Sequence, residues 1–520
     1  MLAGARWRRG ARVTGRRFLS AAGVGALAFV AGLATTIAAD KGGRDDLSAD
    51  DAARVAAVIR PTTDFSTAER FEARSAGAGT HMKRVTRMAF SQPLANLSRK
   101  DETEFRFGNG LFEKLWVSSP SSTRASDGLG PLFNARSCQS CHVRDGRGRP
   151  PEAPGASAVS MFLRLSVPPE TDADRKALAT KAVLSVPEPT YGGQLQESAV
   201  TGLAAEGQLH VDYTEETVVL AGGDTVRLRR PHYRVTNLGY GPMHPKVQLS
   251  PRVAPQMVGL GLIEQIHEAD ILRLADPMDA DGDGISGKAS MVRDHDGTLV
   301  LGRFGWKASM PSVLEQSAHA FSGDIGISNP LMPDAFGDCT ARQPDCRGMP
   351  TGEQANLGAT EAPDPVLAMV VHYSENVAVP ARRDVGDAAV LRGKKAFYGA
   401  GCASCHTPKF VTRRDAPNPA HRFQLIWPYS DFLLHDMGEG LADRRPVGDA
   451  SGRDWRTPPL WGIGLTKTVS GHTYFLHDGR ARTLLEAILW HGGEAEASRD
   501  AVVDLPPSAR ADLLKFLGSL

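Results

Sequence analysis

Apolar residues recur along this chain with two different periods, and the switches between them divide it. At the C-terminus Leu513, Phe516, Leu517 and Leu520 fall at i, i+3, i+4 and i+7, the single stripe of an amphipathic helix. Ser508 is placed to cap that helix after Pro506 and Pro507. Gly108 and Phe112 stand four apart, as do Gly393 and Phe397, a spacing that puts both residues on one helix face. From about residue 165 to about 248 the helical period is lost. Val211, Tyr213, Val218, Val219, Val226, Leu228, Tyr233 and Val235 recur in short extended runs, and Gly222-Gly223-Asp224 between two of them reads as a hairpin turn. The pattern predicts a mainly α fold with a small β-rich insertion at 165–248. Near the N-terminus, Phe18 to Ala39 is continuously apolar or small behind six arginines between Arg6 and Arg17. Residues 1–39 therefore read as a signal peptide or N-terminal anchor, and residues 40–78, which lack a clear pattern, as a loose lead-in.

The pattern also repeats. Arg252-Val-Ala-Pro255 runs on to Leu262, and Arg456-Thr-Pro-Pro459 runs on to Leu465 in a similar stretch one residue shorter. Phe304-Gly-Trp306 leads to Leu314-Glu315, as Phe475-Leu-His477 leads to Leu485-Glu486. Such repetition means two similar structural units. Two tandem cytochrome c-like units are expected, an N-terminal one over 79–360 and a C-terminal one over 361–520.

Each unit carries one Cys-x-x-Cys-His run: Cys138, Cys141 and His142, then Cys402, Cys405 and His406. This run reads as a c-type haem attachment site. The thiols add across the haem vinyl groups and the His gives iron an axial nitrogen. A bare thiol pair would leave a redox dithiol or half a zinc site open, and the His directly after both pairs argues against these. Two covalently bound c-type haems are expected.

The two remaining cysteines, Cys339 and Cys346, flank a short loop containing Pro344, and an oxidising compartment permits a disulfide there. Export to the periplasm agrees with the arginine-rich N-terminus. Arg16-Arg17-Phe18-Leu19 hints at a twin-arginine signal, but thioethers made after export on an unfolded chain favour the general secretory route. A membrane contact is expected only if the N-terminal segment is uncleaved. Charges nearly cancel at a net +1, so no nucleic-acid partner is expected. The 54 glycines and 34 prolines fit a loop-rich chain wrapped around cofactors.

Arg456-Thr-Pro-Pro-Leu460, Tyr474-Phe-Leu-His-Asp-Gly-Arg480 and Thr483-Leu-Leu-Glu-Ala-Ile488 together resemble the bacterial di-haem cytochrome c peroxidases and their relatives that modify amino-acid side chains. With Asp127-Gly-Leu-Gly-Pro-Leu-Phe-Asn134 and Asp145-Gly-Arg-Gly148, the chain is similar to the di-haem oxidoreductase subgroup, also called thiol oxidoreductases, over most of 79–520. The resemblance implies one saturated, electron-storing haem, a second haem with an openable face for hydrogen peroxide, and a Trp between them. Trp306 stands at that Trp, and Gln316 at a peroxide-side Gln. A catalytic Glu of the family is replaced by Gly326. Asn329-Pro330 resembles the Asn-Pro before that Glu, and a shifted match puts Met332 in its place. Asp324 is the nearest acid for the proton-shuttle role. The family's axial Met is replaced by His491, which implies a bis-His haem on His406 of lower potential than His/Met; Met437 is the competing ligand. His435, His472 and His477 are expected to hydrogen-bond rather than bind iron. The haem on His142 has no obvious sixth ligand; His319 is an alternative to an open site. A small electron-donor protein, a cytochrome c or a copper protein, is the implied partner.

Asp279, Asp281 and Asp283 alternate before Gly284, as calcium ligands do in a short loop. Ser290 stands where an EF-hand has its closing Glu, and a solvated acidic turn is the other reading. The expected function is periplasmic peroxidase-like oxidoreduction, either reduction of hydrogen peroxide or peroxide-driven oxidation of a substrate, with electron transfer between two haems. A non-enzymatic di-haem electron carrier and an oxygen-dependent di-haem oxygenase are the alternatives.

Overall fold

Two helices begin on side-chain caps and deliver the chain to the two Cys-x-x-Cys-His runs. The Ser98 hydroxyl accepts the Asp101 N–H at 3.2 Å and starts Arg99–Glu113; the Asp387 carboxylate accepts the Ala389 N–H at 2.8 Å and starts Ala388–Gly399. The first buries Phe105, Gly108 and Phe112 against Asp364–Glu375, and the second buries Gly393 and Phe397 against Pro507–Ser519. Each shared glycine is where the partner helix comes closest. A Cβ on Gly108 would overlap the Met369 carbonyl oxygen, and one on Gly393 the Asp512 carbonyl oxygen. Gly393→Ala is therefore expected to destabilise the protein by about 1–3 kcal/mol through overpacking; an unchanged thermal midpoint would contradict this contact. The helix closing on the first of the pair lies just past the expected boundary at 360/361.

The structure is a computed structural model describing residues 43–520 apart from 84, 154, 155, 157 and 158. The expected signal peptide or anchor lies outside the described residues. Among the described residues, no helix is long and apolar enough to cross a membrane.

The expectation of a mainly α fold is corrected. Helix makes up only 30% of the structure and strand 18%, and among the described residues the strands pair in seven separate two-stranded sheets. The physical reason is strand length. Pairs such as Leu434–Asp436 with Asp454–Arg456 are three residues long, too short to leave a period-two pattern. They pin long loops together rather than form a layer. The longest hairpin, Gln208–Val219 with Thr225–Thr236, turns at Gly222 and Gly223, both at positive φ (94° and 86°). It reaches residues far along the chain: Tyr233 donates its hydroxyl to Asp478 at 2.7 Å, and Arg510 pairs with Asp224 at 3.1 Å.

The lead-in is not loose. It contains the helix Ala49–Ile59, and Glu69 and Glu72 each accept from the buried Lys394 at 2.8 Å. Arg382 also pairs with Glu72. Residues 69–72 are thereby held onto the helix that precedes His406.

The repeat has a structural counterpart that positions the site. Gly305 and Leu476 take the same left-handed conformation, φ 76° and 70°. Each precedes a capped helix: Ser312 accepts the Glu315 N–H at 3.1 Å and Thr483 the Glu486 N–H at 3.0 Å. The two repeats exchange backbone bonds. The Arg456 N–H donates to the Trp306 carbonyl at 3.0 Å and the Val253 N–H to the His477 carbonyl at 2.7 Å. Trp306 and its repeat mate His477 meet edge to face, centroids 6.5 Å apart.

Candidate active site

Cys138–Cys141 forms one helical turn, capped by the Ser137 hydroxyl accepting the Ser140 N–H at 3.2 Å. His142 closes it, its N–H bonded to the Cys138 carbonyl at 3.0 Å; the His406 N–H bonds the Cys402 carbonyl at the same distance. The turn aims two sulfurs and one imidazole at one cavity in each half. Cys138, Cys141 and His142 line a 340 Å³ cavity; Cys402, Cys405 and His406 line a second.

The two imidazoles are held alike. His142 Nδ1 lies 2.8 Å from the Pro255 carbonyl oxygen and His406 Nδ1 2.8 Å from the Tyr429 carbonyl oxygen. A carbonyl only accepts, so Nδ1 carries the proton and Nε2 keeps a free lone pair. Burial pushes both histidines down to about 4, against the pull of those carbonyls, so both stay neutral. Phe112 and Phe397 stand 6.2 Å from the respective rings. A neutral imidazole with Nδ1–H on a backbone oxygen is the orientation an iron ligand needs. Burial pushes the Cys138 and Cys402 thiols up to about 12, and raises Cys141 and Cys405 as well. Four protonated thiols do not suit a redox dithiol or a thiolate–metal site.

Trp306 lines both cavities. Its indole N–H donates to the Val253 carbonyl at 2.9 Å, which fixes the ring in the shared wall. His477 lines the second cavity and stacks on Trp455, centroids 3.7 Å apart. Gln316, Asp324 and His319 line the His142 cavity. Asp324 sits in a π-helical turn, Phe321–Ile325, of the kind found at functional sites. It accepts from Gln194 Nε2 at 2.9 Å, and Arg164 approaches to 3.9 Å. Burial raises its pKa, and Arg164 and Gln194 pull against that rise. Gly326 admits no glutamate, since a Cβ there would meet Gly130 Cα and the Leu132 carbonyl oxygen. Met332 packs, partly buried, against the apolar core and does not line the cavity.

His491 and Met437 both line the His406 cavity. His491 Nδ1–H donates to the Ala487 carbonyl at 2.7 Å, leaving Nε2 free, as in the other two histidines. His435 has no lone pair to offer: it bridges Glu494 at 2.7 Å and Asp431 at 2.8 Å. Burial alone would lower its pKa, but those bonds and Cys405 push it up to about 12. His472 gives Nε2–H to the Arg147 carbonyl at 3.1 Å and accepts the Tyr474 N–H on Nδ1 at 3.2 Å.

The acidic loop is arranged differently from its spacing. Asp276, Asp279 and Asp281 converge, while Asp283 accepts the Ile285 N–H at 2.8 Å and Asp279 accepts the Gly284 N–H at 3.1 Å. Cys339 and Cys346 are joined in a disulfide.

Sequence reasoning passed over the arginines of the wall. Arg147 and Arg456 line both cavities, and the buried Nε of Arg147 has no acceptor. Their signals were the Asp145-Gly-Arg-Gly148 and Arg-x-x-Pro motifs. A haem brings two carboxylates, so a cation with an unmatched N–H between two cavities fits the cofactor, as do the free Nε2 atoms and paired sulfurs.

No curated protein matches the chain. A hydrazine synthase of Kuenenia stuttgartiensis, solved under xenon pressure, aligns at 17% identity over 50% of this chain and 87% of that one, with a TM-score of 0.21; at that score the likeness carries no argument. The family profile described as "Di-haem oxidoreductase, putative peroxidase" matches residues 71–520, and with two haem-ligand cavities sharing one wall, the chain belongs to the di-haem oxidoreductase family.

Proposed function

We propose that this di-haem oxidoreductase reduces a peroxide in the His142 cavity, using electrons that pass from the His406 cavity through the wall built on Trp306. Covalently attached c-type haems would supply at each histidine an iron that exchanges single electrons and, where a coordination position is open, takes an external oxygen ligand. Cys138, Cys141, Cys402 and Cys405 are placed for the thioethers, with His142 and His406 as proximal ligands.

The observation that supports this reading is the unlike furnishing of the two cavities. In the His406 cavity a second imidazole, His491, offers a free Nε2. Met437 only packs, partly buried, against the cluster around Trp455 and Trp490, so His491 is the better distal ligand. The His142 cavity holds a carboxyl, Asp324, and an amide, Gln316, beside its own second histidine, His319. Saturation on one side and access on the other are what electron storage and oxidant binding need.

Reduction of hydrogen peroxide to two waters takes two electrons and two protons. Asp324 is placed to hand a proton from a carboxyl oxygen to a departing oxygen, its pKa raised by burial against the pull of Arg164 and Gln194. Gln316 offers an amide N–H to orient the oxidant. Trp306 cannot pass its indole proton to the Val253 carbonyl, so it serves as a fixed bridge rather than a proton carrier. Export to the periplasm and a small electron-donor protein belong to the same proposal, supported by the arginine-rich N-terminal segment.

Trp306→Phe is expected to slow electron transfer between the haems while leaving both haem spectra intact. Stopped-flow mixing of peroxide with half-reduced protein reads the rate directly. Identical rates in both proteins would remove Trp306 from the path.

A further inference from the structure

Asp324 is gripped from behind by two glutamines that line neither cavity. Gln194 is fully buried and Gln196 nearly so. Gln194 Nε2 donates to Asp324 Oδ1 at 2.9 Å and to the Gly323 carbonyl at 3.2 Å, and it also reaches Asn134 Oδ1. Gln196 Nε2 donates to the same Gly323 carbonyl at 2.8 Å. A carbonyl only accepts, so the nitrogen end of each amide faces the turn Phe321–Ile325. The N–H groups of Asn134 and Ala135 donate to the Asp324 carbonyl at 2.9 and 3.1 Å. The backbone on both sides of the Asp324 Cα is thereby fixed.

The glutamines are held in turn. Asp338 Oδ2 accepts the Gly193 and Gln194 N–H groups at 2.7 and 2.9 Å. Buried Glu206 accepts the Gln196 N–H at 2.7 Å on one oxygen and Gln343 Nε2 at 2.6 Å on the other. Gln343 belongs to the loop closed by Cys339 and Cys346, which also gives the Thr340 hydroxyl to the Thr190 carbonyl at 2.9 Å. The Gln194 amide cannot drift from the carboxyl without breaking these bonds. On Asp324 the polar contacts converge on one oxygen: Gln194 at 2.9 Å and Arg164 at 3.9 Å both approach Oδ1. Among the described residues no hydrogen bond reaches Oδ2, and the side chain keeps 19% of its surface open on the cavity that it lines.

We propose that Gln194 is a positioning residue for Asp324: its amide occupies Oδ1 and so makes Oδ2 the oxygen that carries the exchangeable proton. A carboxylic acid holds its proton on one oxygen and accepts on the other, and an N–H donated to Oδ1 leaves Oδ2 for the proton. The same bond favours the ionised form, so Gln194 also restrains the rise that burial imposes on the Asp324 pKa. The other groups facing Asp324 are Arg164 and the sulfurs of Cys138 and Cys141. Arg252 and Arg445 stand beyond Arg164, and Asp338 stands behind Gln194. All of these remain when Gln194 alone is changed. The inference rests on the proposed function only in giving the proton a use.

Infrared titration of the protein with both haems bound tests this without peroxide. The carboxyl C=O band of Asp324 is identified by its loss in Asp324→Asn. In Gln194→Met that band should persist to higher pH, its midpoint raised by about one pH unit or more, because a donor to the charged form is gone. Gln196→Met frees the Gly323 carbonyl but removes no bond from either Asp324 carboxyl oxygen, and should leave the midpoint in place. Gln194→Asn or Gln196→Asn, each drawing the amide back by one methylene, serves where the Met variant does not fold, with the same expectation. An unmoved midpoint in the Gln194 variant would overturn the proposal. So would equal shifts at both positions, which would mean a loosened turn rather than a lost donor. Turnover tests the reading beneath it: the basic limb of the native pH profile should move up with the infrared midpoint. A moved midpoint with an unmoved limb would take Asp324 out of peroxide reduction and leave the role of Gln194 standing.

Discussion

Replacing Asp324 with Asn is expected to lower peroxide turnover by roughly a hundredfold to ten-thousandfold, the usual worth of a positioned proton donor. The amide keeps the shape of the side chain and removes the titratable proton, so haem content and the resting spectrum should not change. The pH profile separates this role from a structural one. Burial raises the Asp324 pKa above its ordinary value, with Arg164 and Gln194 acting in the opposite sense. The protonated, donating form is therefore present below the shifted pKa and is lost as pH rises through it. Native turnover should fall along that basic limb, and the Asn variant should lack the limb. A variant with the native pH profile and native rate would take Asp324 out of the mechanism.

Changing Cys402 and Cys405 together to Ala should halve the covalently held haem, from two per chain to one. The denatured protein should be lighter by one haem, and the histidine-ligated iron at His142 should keep its spectrum. Stability should fall too. A group bound only by the folded chain stabilises it by mass action, and the helix Ala388–Gly399 would then close on a cavity that no longer retains its occupant. Retention of two haems per chain after denaturation would show that these thiols form no thioethers.

The parts of this protein that were legible in its sequence are those whose chemistry is local. Cys138, Cys141 and His142 sit within one turn, so their spacing alone states what they can hold, and the same is true of Cys402, Cys405 and His406. The amphipathic stripe of Pro507–Ser519 and the Gly393–Phe397 spacing were visible because a helix writes a long period into the chain. What Gly393 is for was not visible, because its partner is the carbonyl of Asp512, 119 residues away by their numbers. The fold class was misread for a related reason: strands of two or three residues carry no periodicity, and the loops they join dominate the structure. The acidic loop shows the limit of spacing arguments. Asp283 stands at a ligand position but turns onto the Ile285 N–H, while Asp276, earlier in the loop, joins Asp279 and Asp281. Arg445 and Arg164 had no signal, since neither lies in a motif and only the folded chain brings them together.

Electron paramagnetic resonance of the resting protein with both haems bound tests the central claim most directly, because it reports the ligation of each iron at once. The account predicts two populations in equal amount: a low-spin iron held by His406 and His491, and a second iron on His142 whose signal shifts when cyanide is added. Two low-spin irons that both ignore cyanide would contradict it.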